Sequence, residues 1–438
     1  MNTSQAPFRI AIVGGAIGGL TTALFLDHFC RTVQPDPHTI SIDVYEQAAE
    51  YREIGAGVGI GINAAKLMHK IPGVGEAMRS IQGRPDNSWF TFVRWDNGRR
   101  ITHVDTPVNK DDPVRPSSMA RSEFLEILLE KIRERGVAKL HTKKRFASCK
   151  VCEKGVLITF ADETTAEADL LIGSDGIHSE VRKQFITGKA LYSGKIAYRG
   201  VVPISQLPHD TWPGRSSSGD INYAVIWLAR HKHFLVFPIS RTKSLNVVAF
   251  ISKREEEIPD LRESWTSTCD RSELEEDFKD CEETVQGVIR LMPDRPSKWR
   301  INDHEPVSQW HFLEGKVALV GDACHATTPH QGAGAGQAVE DGYIVSKALA
   351  EWMTGGRRAP LEAWMGLYQR IRLPRAQRVV TTSRQAGALY EFESPDLIDL
   401  PFEEAEPIVV ERLQSRMRWI WEEDIDSLYA KQREEAGL

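Results

Sequence analysis

The chain is poor in cysteine, carries no excess of positive charge and lacks an uninterrupted apolar run of membrane-spanning length. Six cysteines in 438 residues are too few for a disulfide scaffold and fit a reducing compartment. A formal net charge of -6 provides no basic field for nucleic acid. The length allows two or three domains. These properties predict a cytoplasmic protein that binds neither nucleic acid nor membrane.

Two features of the sequence could suggest a metal site or a membrane-spanning segment, but neither is interpreted in this way. Cys149 and Cys152 form a single CxxC pair without a second pair, whereas structural zinc needs four ligands, so we predict no metal site. The apolar run Ile10–Leu26 contains four glycines. At about 17 residues it is also shorter than the roughly 20 that a membrane helix needs. It is interpreted as a buried strand followed by a helix.

The most informative stretch is Val317–Gly342, VALVGDACHATTPHQGAGAGQAVEDG. Its four leading apolar residues predict a buried strand that ends in the turn Gly321–Asp322, where a carboxylate can accept hydrogen bonds from sugar hydroxyls. Gly332, Gly334 and Gly336 follow at alternate positions and lead into a helical pattern. A glycine-lined loop that ends at a helix N-terminus favours an anionic or electron-rich ligand group. The segment therefore suits a nucleotide cofactor.

The N-terminal region has the pattern of a βαβ unit. Arg9–Val13 predicts a strand, Gly14–Gly19 a tight loop, Leu20–Phe29 a helix and Ile40–Tyr45 a second strand, which Glu46 follows. An acid at the end of the second strand is typical of dinucleotide-binding units. The loop sequence GGAIGG has alanine in place of the middle glycine of the common fingerprint, so this motif alone does not decide for a dinucleotide.

The rest of the chain predicts an α/β protein with a second sheet. Ala168–Arg182 reads as a further buried strand, an SDG turn and the start of a helix. Between Leu191 and Ser252 the residues alternate as in antiparallel strands. Glu263–Ile289 has the pattern of an acidic amphipathic helix, and the aromatic-rich tail after Gly387 is predicted to be helical.

The βαβ unit, the LIGSDGIHSEVR segment and the GDACHATTPHQGAGAGQAVEDG segment occur in this order. Together they resemble the single-component FAD-dependent aromatic hydroxylases (flavoprotein monooxygenases), most closely the salicylate-hydroxylase-like branch, over roughly Arg9 to Gly387. The resemblance implies a Rossmann-like FAD-binding domain, a substrate domain with a mixed or antiparallel sheet, and a helical C-terminal segment. Their predicted bounds are 1–80, 110–185 and 300–387 for the first domain, 81–109 and 186–299 for the second, and 388–438 for the tail.

The resemblance also implies which residues hold FAD. Gly14, Gly15 and Gly19 would hold the pyrophosphate and Glu46 the adenosine ribose. Asp175 in the SDG turn has two interpretations, a role in binding FAD and NAD(P)H or the capping of a helix. The further positions implied to contact FAD are Gly59, Arg121, Asp322, Gly334, Ala335 and Gly336. Of these, Asp322 would bind the ribityl chain, and the backbone around Gly334–Gly336 would face the isoalloxazine.

The family's chemistry sets requirements for the rest of the site. NADH or NADPH reduces the flavin as a transient donor without a domain of its own, and the chain indeed has no second convincing nicotinamide fingerprint. O2 then forms a hydroperoxide at flavin C4a, which a closed apolar pocket protects from water. A phenolate attacks its distal oxygen more readily than a phenol does. The sequence does not separate NADH from NADPH, or a monomer from a homodimer.

Arg199, in IAYRG, is the candidate for stabilising such a phenolate by its opposite charge; a surface salt bridge is the competing interpretation. Related fungal phenol hydroxylases pair the matching arginine with a tyrosine, where this chain has Phe237, so Phe237 is interpreted as a pocket wall. His325 is a candidate base or carboxylate-orienting residue, or else a structural histidine. The predicted pocket residues are Tyr198, Tyr223, Trp227 and Phe237.

The predicted function is therefore FAD-dependent hydroxylation of a phenolic aromatic substrate with NAD(P)H and O2. A hydroxybenzoate with oxidative decarboxylation is one form of it, and dearomatising hydroxylation of a larger polyketide-type phenol is another. A small pocket with a second cation suits the carboxylate, whereas a long apolar pocket suits the larger phenol. Two different classes of protein also fit the fold, a flavin oxidase or dehydrogenase and a flavin-free binding protein.

Overall fold

The structure is a computed structural model, and it describes residues 6–33, 40–51, 57–83, 87–108, 112–207, 209–214, 221–261 and 264–438. The strands are Phe8–Val13 (β1), Ile40–Tyr45 (β2), Gly57–Ile60 (β3), Ser88–Arg94 (β4), Arg100–Asp105 (β5), Ser117–Ala120 (β6), Lys139–His141 (β7), Phe146–Cys152 (β8), Gly155–Phe160 (β9), Thr165–Ala168 (β10), Leu170–Gly173 (β11), Leu191–Pro203 (β12), Val225–Ala229 (β13), Lys232–Ile239 (β14), Ser244–Ser252 (β15), Thr266–Thr268 (β16), Ser297–Asp303 (β17), His311–Phe312 (β18) and Val317–Leu319 (β19).

The helices are Ile17–Val33 (α1), Ile62–Met68 (α2), Val74–Ile81 (α3), Arg121–Arg135 (α4), Glu180–Lys183 (α5), Arg271–Asp277 (α6), Glu283–Leu291 (α7), Asp322–His325 (α8), Gly334–Thr354 (α9), Leu361–Tyr390 (α10), Phe402–Ser415 (α11), Arg418–Glu422 (α12) and Ile425–Glu435 (α13). None of the helices in the described ranges is long and apolar enough to cross a membrane.

A six-stranded sheet forms the cofactor half of the fold. Its order is β18-β19-β11-β1-β2-β7. β1 pairs in parallel with both β2 and β11, and only the edge strand β18 runs antiparallel. Strands of a parallel sheet are covered on both faces and are apolar along their length, which explains the runs FRIAIV and LLIG. The βαβ unit predicted from the N-terminal sequence is thereby confirmed.

An eight-stranded sheet of order β16-β17-β12-β15-β14-β13-β4-β5 forms the other half. It is mixed, because β13 and β4 pair in parallel while the other neighbours are antiparallel. Its strands come from residues 88–105 and 191–303. The α/β fold class with a Rossmann-like part, a mixed sheet and a helical C-terminal region is confirmed. The division of the chain into domains stays a prediction.

Helices α1 and α9 pack closely at Thr22 of α1 and Gly342 of α9. A Cβ on Gly342 would lie 2.7 Å from Thr22 Oγ1, so only glycine allows this approach. Ser346 Oγ also donates a hydrogen bond to Thr22 O at 3.4 Å. The two helices are thereby held side by side.

The segment Glu263–Ile289 differs from the single helix that its sequence predicts. Glu263 itself lies outside the described residues, and the rest forms the short strand β16 and the two helices α6 and α7. Asp270 caps the start of α6 and Glu282 caps the start of α7 through their side chains. Acidic residues that the pattern placed on one solvated helix face thus serve in part as helix caps.

Candidate active site

A cavity of about 260 Å³ lies between the eight-stranded sheet, the β3–β6 pair and the loop that leads into α9. Its apolar walls include Trp89, Phe90, Ile226, Phe237, Val248 and Phe250. Its polar lining includes Arg121, Arg199, Asn246, Asp322, Thr328 and His330. Gly59, Arg121, Arg199, Phe237, Asp322 and Gly334, which were predicted from separate segments of the sequence, meet at this cavity.

The loop between β1 and α1 has room for backbone only. Gly14 has φ +106°, and a Cβ there would lie 2.2 Å from Ser174 O. A Cβ on Gly19 would lie 2.0 Å from Gly14 O. Beside this loop, the Glu46 carboxylate accepts hydrogen bonds from Gly15 N and Ala48 N, both at 2.8 Å. The strand end, the loop and the acid are therefore held in one arrangement.

Gly14→Ala is expected to weaken FAD binding and to destabilise the fold, because it adds a clash to a strained backbone angle. The angle alone costs about 1–3 kcal/mol, and the clash with Ser174 O adds to this. Thermal unfolding and an FAD titration would measure both effects. Gly136→Ala is the matched control, since Gly136 also has positive φ (+60°) but no atom within 4 Å of the added Cβ. Equal losses in the two variants would contradict the steric argument.

Gly15 and Asp175 are engaged by neighbouring residues. A Cβ on Gly15 would lie 2.4 Å from the ring of Tyr51, so this aromatic ring covers the glycine. Asp175 accepts hydrogen bonds from Ser179 Oγ and from Glu180 N, the latter at 2.7 Å. Burial raises the pKa of Asp175 against these hydrogen bonds. The Asp175 side chain thus caps the start of α5, and its role in binding FAD and NAD(P)H stays a prediction.

The N-terminus of α9 faces the cavity at Gly334. Its N-cap residue, Ala333, provides no capping side chain, and the first turn has no acidic residue. The exposed Asp322 lies beside this N-terminus. Its Oδ1 is 4.0 Å from the position that a Cβ on Gly334 would occupy. An uncapped N-terminus of a 21-residue helix presents free N–H groups and positive partial charge. This end of the cavity fits the electron-rich edge of a flavin.

Gly336 and Ala335 do not line the cavity. A Cβ on Gly336 would lie 3.4 Å from Ala64 Cβ, so Gly336 allows α9 to pack against α2. Ala335 is partly buried against the main hydrophobic core. Of the predicted run Gly334–Gly336, only the first residue reaches the cavity.

Arg199 brings a positive charge into this mainly apolar cavity. Its guanidinium lies over the Trp299 ring, with Cζ 4.8 Å from the centroid. The buried Nε has no hydrogen-bond partner among the residues that the structure describes. Burial, and secondarily the charge of Arg121, lower the pKa of Arg199 to about 10. Arg199 is therefore charged at neutral pH, and the surface salt bridge considered from the sequence is not formed within the described ranges.

The structure does not bring Tyr198 to the cavity. Tyr198 lies next to Arg199 on β12, and consecutive strand residues point to opposite faces of a sheet. Its hydroxyl oxygen lies 2.7 Å from a carboxylate oxygen of Glu273 and from one of Asp277 on the far side of the sheet, and its single proton is donated to one of them. The prediction of Tyr198 as a pocket residue is corrected by this alternation.

Trp227 and Tyr223 also lie away from the cavity. Ile226 on β13 faces the cavity, so the next residue, Trp227, points to the opposite face of the sheet. There it packs in a second hydrophobic core, which includes Trp212, Phe234 and Phe278, and its Nε1 donates a hydrogen bond to Glu282 at 2.8 Å. The Tyr223 hydroxyl lies 3.0 Å from His209 Nδ1. Both aromatic residues pack within the protein on the opposite side of the sheet.

His325 belongs to a buried charge network behind the cavity. Its Nε2 pairs with the Asp341 carboxylate, which also binds Arg372 and accepts a hydrogen bond from Gly321 N at 2.8 Å. Burial opposes the imidazolium, but the Asp341 charge outweighs it and holds the pKa of His325 well above the usual 6.5. His325 is thus a structural histidine paired with a carboxylate, and the structure does not bring it to the cavity.

His330 lines the cavity, although its local sequence did not mark it as a site residue. It is buried, its ring lies 4.9 Å from that of Phe250, and neither ring nitrogen has a hydrogen-bond partner in the described part of the chain. A Cβ on Gly387 would lie 2.6 Å from His330 Cδ2, so this glycine makes room for the ring. The signal in the sequence was its position just before the glycine loop, in PHQG.

Comparisons with known proteins agree with this geometry. A family model described as "FAD binding domain" matches residues 8–383. The chain is similar to a salicylate hydroxylase from Pseudomonas putida, with 31% identity over all of this chain and 97% of that protein. It is also similar to a 6-methylsalicylate 1-monooxygenase from Aspergillus terreus, with 30% identity over 95% and 90% of the two chains.

Among solved structures, a salicylate hydroxylase substrate complex superposes with a TM-score of 0.79 at 27% identity, covering 98% of both chains. The uncapped helix, the glycine loop and the acid at the end of β2 are the features that FAD requires. The chain therefore belongs to the FAD-binding-domain family, as an FAD-dependent hydroxylase (monooxygenase) of the salicylate-hydroxylase-like branch.

Proposed function

We propose that the protein hydroxylates a single-ring phenol that carries a carboxylate, using NADH or NADPH and O2, with release of the carboxylate as carbon dioxide. The observation that carries this proposal is Arg199, a charged side chain without an anionic partner among the described residues, inside a cavity with mainly apolar walls. A buried charge of this kind is stabilised by a ligand of opposite charge. A phenolate or a carboxylate on an aromatic ring provides that charge.

The size and the charge of the cavity favour the small acidic phenol over a larger one. Arg121 also lines the cavity and is close enough to lower the pKa of Arg199. The charge of Arg199 and a cavity volume of about 260 Å³ suit a compact ring with an anionic substituent, and Arg121 stays assigned to FAD. The names of two relatives, a salicylate hydroxylase and a 6-methylsalicylate 1-monooxygenase, point to the same substrate class.

Each part of the cavity has a task in this reaction. Bound FAD, once reduced, supplies the activation of O2. The N-terminus of α9 stabilises negative charge on the flavin, a contribution of about 0.3–2 kcal/mol depending on burial. Arg199 binds the ring substituent and favours its ionised form. Apolar residues such as Ile226, Val248 and Phe250 exclude water from the reacting atoms.

The experiment is a substrate panel on the purified, FAD-loaded protein. Salicylate, 6-methylsalicylate and a bicyclic phenol without a carboxylate are each tested with NADH and NADPH. We expect the salicylates to stimulate NAD(P)H and O2 consumption together, with a product that has lost carbon dioxide and gained oxygen by mass. A response to the bicyclic phenol alone would favour dearomatising hydroxylation of a larger phenol.

Product mass is essential, because a ligand can stimulate NAD(P)H consumption and yield only peroxide. If NAD(P)H fails to bleach the flavin under anaerobic conditions with every phenol present, the proposal falls in favour of a flavin oxidase or dehydrogenase.

A further inference from the structure

We propose that a chain of side chains, running from the buried His330 through His233, Glu391, Lys195 and Glu393 to the exposed His231, conducts the phenol proton from the cavity to solvent. We call this chain the proton relay. It rests on the proposed phenolic substrate. The O–H bond of the phenol breaks, the proton passes along the relay, and one proton leaves to water at His231. The phenolate that remains in the cavity is stabilised by Arg199.

The inner part of the relay consists of two histidines. His330 lines the cavity, and its ring centroid lies 5.2 Å from that of His233. Both nitrogens of His330 and the Nε2 of His233 are without a hydrogen-bond partner in the described ranges. The rings are close enough for one water, or a rotation of either ring, to join them. Three buried nitrogens are thus available at the point where the proton must leave the cavity.

The middle part is a buried carboxylate with three partners. His233 Nδ1 lies 2.8 Å from one oxygen of Glu391, and the other oxygen binds Lys195 Nζ and accepts a hydrogen bond from Ser252 Oγ at 2.8 Å. His233 and Glu391 are 1% and 0% exposed. Lys195 also donates a hydrogen bond to Glu393 at 2.6 Å. The ammonium can pass one proton to Glu393 while it receives another from Glu391.

The outer part reaches the surface. The other oxygen of Glu393 lies 2.9 Å from His231 Nδ1, and the His231 side chain is 63% exposed. The path therefore joins the cavity to bulk water through groups that can each bind and release a proton. Lys195 lies on β12, His233 on β14, and Glu391 directly after α10. Three separate elements of the fold converge on this path.

At pH 7 the two histidines and Glu391 are each in the form that can accept a proton. Burial, and secondarily the electrostatic effect of His233, lowers the pKa of His330 well below 6.5. Burial also lowers the pKa of His233. For Glu391, burial is outweighed by His233 and Lys195, which lower its pKa to about 2. Both rings are neutral at pH 7 and can accept a proton. An imidazolium at His233 is stabilised by the adjacent carboxylate while the proton passes.

The test follows proton release when FAD-loaded protein is mixed with 5-nitrosalicylate, whose phenolate absorbs at longer wavelength than the phenol. A pH-indicator dye reports the proton in weak buffer, and stopped-flow absorbance reports the phenolate. Glu391→Gln keeps the size of the side chain but removes its basicity. We expect both signals to slow on the order of 100-fold, within the range by which a positioned acid or base accelerates proton transfer. FAD affinity should stay at the wild-type value.

Two further variants keep the proposal falsifiable. His231→Gln, at the exposed end, should slow proton release in weak buffer, and added imidazole buffer should restore the rate. If Glu391→Gln does not retain FAD, this variant alone tests the relay. Tyr198→Phe is the matched control, because Tyr198 is a buried, hydrogen-bonded residue of the same strand as Lys195 but on the opposite face. It should release the proton at the wild-type rate.

The outcomes separate the relay from the proposed function. Wild-type release in Glu391→Gln, or a slow His231→Gln variant that imidazole does not rescue, would overturn the relay and leave the substrate class standing. Absence of both the dye signal and the phenolate band in the wild-type protein would overturn the proposed substrate class, and the relay with it.

Discussion

Replacing Arg199 with glutamine is expected to lower kcat/KM for the phenolic substrate by roughly 30-fold to several thousand-fold, which corresponds to about 2–5 kcal/mol for the loss of one partner of a buried charge pair. Gln keeps a polar side chain of similar length but cannot stabilise a phenolate or carboxylate by charge. FAD binding should be retained, because Arg199 lies on the wall formed by the eight-stranded sheet. Steady-state kinetics and a ligand titration of the flavin spectrum would measure both quantities.

Two variants bracket this result. Arg199→Lys keeps the charge but loses the planar guanidinium that lies over Trp299, so its loss should be intermediate. Arg300→Gln is the matched control, since Arg300 lies on the adjacent strand β17, over the Tyr192 ring and paired with Glu255. It does not line the cavity and should leave kcat/KM within about threefold of wild type, as is usual for residues away from the site. Unchanged substrate affinity in Arg199→Gln would refute the role of its charge.

The elements with a strong local pattern were predictable from the sequence. β1, β11 and β19 are short, nearly continuous apolar runs with a glycine at their end or shortly after it, and β2 is a β-branched strand directly followed by Glu46. Such runs are covered on both faces wherever the neighbouring elements lie, so tertiary context does not alter them. The family motifs consist of these same segments, and they also indicated the class of cofactor.

The sequence did not predict which side chains of the eight-stranded sheet point to the cavity and which point to the opposite face. Tyr198 and Arg199 are consecutive, so only one of them can face the cavity, and the sequence does not say which. The same holds for Ile226 and Trp227 on β13. Both faces of this sheet are buried, one by the cavity and the other by the second core, so hydrophobicity does not mark the functional face.

The two histidines near the glycine loop show a similar limit. His325 follows the turn that contains Asp322, yet its side chain pairs with Asp341, which also binds Arg372. Both partners are distant in sequence, and this pairing gives His325 a structural role. His330 reaches the cavity because Gly387 leaves space for its ring. Each role depends on a contact with α9 or α10 that no local pattern contains.

Asp341→Asn is expected to lower the free energy of unfolding by about 3–5 kcal/mol, the usual cost of removing one partner of a buried ion pair. Asp341 is fully buried, and its loss leaves His325 and Arg372 without this carboxylate. Gly321 N would also lose its charged acceptor, and Gly321 directly precedes Asp322 in the cavity. We therefore expect weaker FAD binding together with the lower stability, measured by urea unfolding of the apoprotein and by FAD titration.

Asp396→Asn is the matched control for this stability change. Asp396 forms an exposed pair with Arg412, and exposed pairs contribute about 0–1 kcal/mol. A loss in Asp341→Asn no larger than that of the control would contradict the structural role of the network.

The stability difference between wild type and Asp341→Asn should depend on pH in a defined direction. Burial opposes ionisation of Asp341, but His325 and Arg372 outweigh it and lower its pKa from 3.8 to about 2. This contribution is therefore present above pH 3.8 and is lost as pH falls towards 2. The raised pKa of His325 contributes stability that is complete below 6.5 and is lost as pH rises through its folded value. Urea unfolding as a function of pH should show the largest stability difference between wild type and Asp341→Asn between pH 3.8 and pH 6.5. A stability difference that does not vary with pH would mean that the Asp341–His325 pair is not ionised.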